Sequence, residues 1–168
     1  RIVGDFTLTV LDQVSNRTYP DTIAKSASNY DTHGYIIEPY FLLRHPRHTR
    51  FTSYVPYRCL LPKGMEGLLV TGIGLSAQRD AQPIVRMQPD IQNQGYAAGA
   101  AAAMAARERT LLRHIDIRAL QRHLVEIGNL PDSVLTDGDS HPLSAERVAE
   151  AVSKILDDYR SLAIILGH

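Results

Sequence analysis

The spacing with the most chemical content in this 168-residue chain is Gly72-Ile73-Gly74-Leu75-Ser76-Ala77, which follows the apolar run Leu68-Leu69-Val70. A strand running into G-x-G-x-x-A, with an acid such as Asp90 further on, is the pattern that lays a dinucleotide's phosphates on a helix start. Two features argue against that use here. A long amphipathic helix should follow Ala77, but Gln78-Arg79-Asp80-Ala81-Gln82-Pro83 breaks after about a turn. The acid should close a second apolar strand, and Val85-Arg86-Met87-Gln88-Pro89 is a poor one. The basic run Arg44-His45-Pro46-Arg47-His48-Thr49-Arg50 suits either an acidic ligand or a solvated loop. His45 and His48 have no third metal ligand nearby in sequence. Cys59, the single cysteine, sits in an apolar segment and reads as a buried, inert thiol. His114, His123 and His141 read as surface positions. No Ser-His-Asp arrangement, phosphate loop or zinc motif emerges, so hydrolase and kinase chemistry have no residues to stand on.

Composition bounds the partners. Eighteen Lys and Arg balance eighteen Asp and Glu, which leaves no electrostatic footprint for nucleic acid or anionic lipid. No apolar run is long enough to span a bilayer, and Arg1-Ile2-Val3-Gly4-Asp5 lacks a signal-peptide layout. One cysteine cannot close an internal disulfide, so the core must come from burial. The compartment is not encoded. Both ends of the chain read as cut points rather than natural termini.

The elements that would position such residues change character near Pro89. Seven of the nine prolines lie at or before it, among β-branched and aromatic residues, whereas Ala, Leu, Arg and Glu dominate afterwards. Strands are expected at Phe6–Val10, across Phe51–Leu61 and at Gly67–Thr71, with residues 11–50 mainly loops and short helical turns. A helix is expected from Pro89 to Arg109, because a first-turn proline gives up only an amide that would be unpaired anyway and Asp90 complements the dipole. A second should be capped by Asp116 and stopped by Gly128 and Pro131. A third should be capped by Ser144, with Val148, Ala151, Val152, Ile155, Tyr159, Leu162 and Leu166 on one face. The fold class expected is α+β: a small mixed or antiparallel sheet within residues 1–71, an Ala-rich helix, and a C-terminal helical appendage. The expected division is 1–109 and 110–168. The ten residues from Ala97 contain eight alanines, a profile slim enough for close approach to a flat partner.

Several separately spaced pieces occur in one order: Val55-Pro56-Tyr57-Arg58-Cys59-Leu60-Leu61-Pro62-Lys63-Gly64, Gly67-Leu68-Leu69-Val70, Gly72 with Ser76-Ala77, Val85-Arg86-Met87-Gln88-Pro89, and Gly95-Tyr96-Ala97-Ala98-Gly99-Ala100-Ala101-Ala102. Together they resemble the C-terminal portion of FAD-dependent oxidoreductases of the glutathione-reductase-like superfamily, in a subgroup often met in bacterial genomes. Arg1–Thr9, Tyr19–Ala24 and Asp31-Thr32-His33 resemble the segment that precedes it there. The resemblance covers residues 1–106.

It implies a glycine turn at Gly72 and Ile73 beside the cofactor, and a helix whose leading end faces the flavin edge. Arg86, Met87, Gln88, Pro89, Asp90 and Ile91 are then the flavin-edge candidates, acting mainly through backbone amides, and Gly95 with Gly99 permits close approach of the cofactor domain. Candidate catalytic residues are His33 as a proton donor, or a structural loop histidine; Arg86 as a cation beside the flavin or an anionic substrate, or an ion-paired surface arginine; and Tyr57 with Arg58 in the substrate cavity, or in strand-end packing. FAD would require a dinucleotide-binding half supplied by the remainder of the chain or by an FAD-binding subunit, with a small molecule as substrate. Two departures stand out. Ile73 replaces the subgroup's usual arginine, and Gln78-Arg79-Asp80 replaces a pattern that usually offers Thr and His. The alternative is a non-catalytic assembly module whose Ala-rich helix packs on a partner subunit.

Overall fold

A computed structural model describes residues 1–32, 34–43, 50–155 and 161. The expected α+β class is what it has. Two strands, β1 (Thr22–Asn29) and β2 (Arg50–Pro56), pair antiparallel with Ser26 opposite Ser53 and Ala24 opposite Val55. Around them lie α1 (Val10–Val14), α2 (Pro39–Leu43), α3 (Gln82–Val85), α4 (Gln88–Glu108), α5 (Ile117–Glu126) and α6 (Ala145–Ser153). Alternation in β2 buries Phe51, Ser53 and Val55 and leaves Thr52 and Tyr54 partly open.

Local chemistry sets the boundaries. Thr9 caps α1 in a box, its hydroxyl accepting from the Asp12 amide while the Asp12 carboxylate accepts from the Thr9 amide at 2.8 Å. That box is why Phe6–Val10 is not the expected strand: Val10 already belongs to the helix, and Leu8 forms only an isolated bridge to Ala77. Gly67–Thr71 is no strand either. It runs between two left-handed glycines, Gly67 at φ +73° and Gly72 at φ +64°, and Val70 donates its amide to Leu60 outside any ladder. After Pro56 the chain turns into a 3-10 turn at Tyr57–Cys59, ending the extended segment early. Within residues 11–50, α1 and α2 are the short helical turns expected, but β1 was not legible. Thr22-Ile23-Ala24-Lys25-Ser26-Ala27-Ser28-Asn29 is small and polar, and it forms a strand because its narrow buried side chains let α4 and α5 lie on it.

The helical half follows its caps. α4 spans Gln88–Glu108 and ends on Arg109 in the left-handed region, φ +53°. Asp116 accepts from the Ala119 amide at 3.0 Å to start α5, and Gly128, φ +79°, follows its end. Ser144 starts α6 by accepting from Arg147. Val152 on that helix and Ile155 just beyond it are exposed, and the expected continuation through Tyr159, Leu162 and Leu166 lies outside the described residues. One core runs from Leu8 and Val10 through Tyr19, Ile23, Val55, Leu60, Leu75 and Ile84 to Leu120, Leu124 and Val134. Among the described residues no helix is long and apolar enough to cross a membrane.

Candidate functional site

The Gly72 turn and the leading end of α4 meet. Gly72 is buried at φ +64°, and a Cβ there would lie 3.3 Å from Ile91 Cγ2. Its amide donates to Gln94 Oε1 at 3.1 Å, and Gln94 Nε2 donates to the Val85 carbonyl at 2.8 Å. Gln94 is fully buried, so one side chain fastens the glycine turn to the end of α3. Its neighbour Ile73 is 68% exposed, an apolar side chain at the tip of the turn. Because the segment is a 3-10 turn without a flanking strand or a following long helix, the G-x-G-x-x-A spacing does not open a dinucleotide-binding unit.

Arg86 closes α3, Met87 is the N-cap of α4 in extended conformation, and Pro89 stands in the first turn. Gln88 and Pro89 are exposed, while Asp90 turns inward. Burial pushes the Asp90 carboxyl above the usual carboxylate range, against the Ser26 hydroxyl and the Met87 amide, which favour its ionised form. The Ile91 amide is taken by the Met87 carbonyl. Arg86 Nη2 donates to the Asp31 carbonyl at 2.9 Å and lies 3.6 Å from its carboxylate. The same guanidinium lines a small cavity of about 110 Å³ with Thr32, Tyr35, Arg79, Asp80 and Gln82. Arg79 lies over the Tyr35 ring, and Asp80 accepts from the Ile37 and Glu38 amides, both at 2.7 Å. His33 follows Thr32 in sequence and, like His45 and His48, lies outside the described residues.

α4 has two unlike faces. Asp90, Gln94, Ala97, Ala101 and Ala105 are buried. On the opposite side Gly95, Gly99, Ala102, Ala103 and Ala106 are exposed, and a Cβ at either glycine would meet nothing within 4 Å. Beside this stripe the Tyr96 hydroxyl reaches His123 Nε2 at 2.8 Å, their rings stacked.

Tyr57 and Arg58 stand elsewhere. They line a cavity of about 300 Å³ with Asp21, Leu61, Arg113, Ile117 and Arg118, and none of the residues around the α4 start lines it. Tyr57 donates to the Leu112 carbonyl at 3.0 Å, and burial, partly offset by Arg113, pushes its hydroxyl up to about 12. Arg58 is held by Asp21 through Nε at 3.0 Å and Nη2 at 3.1 Å. Cys59 is fully buried, and burial raises its thiol well above the ordinary range. Sequence reasoning missed Gln94. The signal available was its place in the series Asp90, Gln94, Ala97, Ala101, Ala105, at helical spacing on the buried face.

The left-handed glycine turn thus meets the start of a helix whose outer side carries an exposed stripe of Gly and Ala. A family model described as FAD dependent oxidoreductase matches residues 1–124, which takes in the Gly72 turn, all of α4 and most of α5. The chain belongs to that family. No curated protein and no solved structure matches it.

Proposed function

We propose that this chain is the C-terminal part of a flavin-dependent oxidoreductase of the glutathione-reductase-like superfamily, contributing the flavin-edge helix and part of the substrate cavity. The observation that carries this reading is the asymmetry of α4: its inner face is packed, while Gln88 and Pro89 at its leading end and the stripe through Gly95 and Gly99 are exposed, with nothing among the described residues within 4 Å of a Cβ at either glycine. A slim, uncovered face of that kind fits a flat ring at the tip and a nucleotide-carrying domain along the flank. In this reading residues 1–109 are the oxidoreductase portion and 110–168 a helical appendage. The dinucleotide-binding half comes from the remainder of the polypeptide or from an FAD-binding subunit.

Bound FAD supplies an acceptor for hydride from a substrate carbon. The chain's own residues would do the rest. The first-turn amides of Gln88 and Asp90 present the positive end of the α4 dipole, which favours negative charge placed there. Gly72 lets the turn lie against Ile91 of α4, where a Cβ would crowd it, and Gln94 keeps that turn in register with the helix. Arg86, fixed by Asp31, sets a cation beside the helix start and in the wall of the small cavity, where it would orient an anionic group.

The test is expression of the chain together with its adjoining coding sequence, or with a candidate FAD-binding subunit, followed by visible absorption of the purified protein. A yellow protein with bound FAD is expected. A folded, colourless product that nonetheless assembles through α4 would favour the assembly-module alternative.

A further inference from the structure

We infer that the cavity between Tyr57–Leu61 and the start of α5 binds a small monocarboxylate with an apolar body. Tyr57, Leu61 and Ile115 are almost wholly buried and give it a dry wall, with half-buried Ile117 at the side. Its volume of about 300 Å³ is at the lower end of what small-ligand sites use.

Ion pairing singles out the ligand's polar end. Arg58 is matched by Asp21, and Arg113 by Asp5 and Glu66. Arg118 is different. Its Nη1 donates to Gln121 Oε1 and the Val134 carbonyl, each at 2.8 Å, and its Nη2 to the Asp137 carbonyl at 3.2 Å. All three acceptors are neutral, and among the described residues no carboxylate lies within ion-pair distance of it. Arginine stays ionised, so Arg118 is the cation of the cavity wall that has no carboxylate partner among the described residues. Nε–H and one Nη2–H have no acceptor among the described residues, and a carboxylate can accept edge-on from an arginine's Nε and Nη2. Arg58 makes that same edge-on pairing with Asp21 a short way along the wall. One arginine without a carboxylate partner, its spare donors and apolar surroundings together select a single carboxylate on a hydrocarbon-like body. This inference does not rest on the flavin reading.

Isothermal titration of the full chain with octanoate, octanol and inorganic phosphate tests it, with far-UV thermal melts of every variant as the check on folding. Octanoate should bind at least about tenfold more tightly than octanol, as a charge-assisted hydrogen bond requires, and phosphate should give no heat. Arg118→Gln should weaken octanoate by about tenfold or more, and Arg118→Lys by less. Because Arg118 also holds two carbonyls, Ile117→Glu provides the independent variant: it places a carboxylate at the wall, suits the first turn of α5, and should weaken octanoate at least as much. Equal affinity for octanoate and octanol, no octanoate binding at millimolar concentration, or unchanged affinity in a folded Ile117→Glu would overturn the inference.

Discussion

Gln94 ties together three pieces of backbone that sequence separates: the Gly72 turn, the end of α3 and the body of α4. Replacing it with Leu keeps the volume roughly constant but strands a buried amide and a buried carbonyl. Gln94→Leu should therefore lower unfolding stability by about 2–4 kcal/mol, read from denaturant midpoints. Asp90 gives a pH signature. Its folded pKa is raised, so the folded state holds the proton more tightly than the unfolded chain. Asp90 consequently favours folding least once ionised, and stability should fall as pH rises from the unfolded carboxylate value, about 3.9, through the folded one. Asp90→Asn should flatten that stretch of the stability–pH curve, and an unchanged slope would show that the shift belongs to another group. The glycine turn and the helix-start residues were legible because Gly, Pro and an acid at those spacings have few other uses. Gln94 was not, since a glutamine within a helix is ordinarily on the surface. Tyr57 and Arg58, which belong to the same resemblance, line a cavity of their own instead of joining the helix start.

At the scale of elements, α4 is the part with an unmet requirement. A Cβ at either outer glycine would meet nothing within 4 Å among the described residues, so filling them should cost nothing here and recover helix propensity. Gly95→Ala and Gly99→Ala should each stabilise the chain by about 0.5–1 kcal/mol in thermal or denaturant unfolding. Destabilisation by either would mean that the face is already in contact. Native glycines kept where alanine would be more stable make sense if the face must admit something closer than a methyl group. α4 and α5 were readable from Pro89, Asp116 and Gly128 because capping chemistry is local. β1 was not, because its strand character comes from α4 and α5 packed on small residues. The run Gly67–Thr71 misled for the converse reason: it is apolar, but no strand lies beside it.

At the scale of the molecule, a charge network joins the chain's beginning to the loop before α6. Arg17 pairs with Asp12 at 3.0 Å and Asp139 at 2.9 Å and stacks on Phe6 and Tyr19. Partial burial would raise the Asp139 carboxyl, but the Arg17 hydrogen bond, the His141 amide and nearby guanidiniums outweigh it and hold the carboxyl below its ordinary range. Its contribution is thus present above the unfolded carboxylate value and is lost as pH falls through the lowered one. Asp139→Asn should cost up to about 1 kcal/mol at neutral pH, the partner being only partly buried, and should lessen acid sensitivity. The central claim concerns what covers α4, and bound flavin reports on it most directly. With the adjoining coding sequence restored, FAD content is measured by absorbance after desalting, in the wild type and in Gly99→Leu, alongside the unfolding midpoint of each. Stoichiometric FAD in the wild type, lost in Gly99→Leu while the midpoint holds, is the predicted result. A folded wild type without FAD, or full retention of FAD in Gly99→Leu, would contradict it.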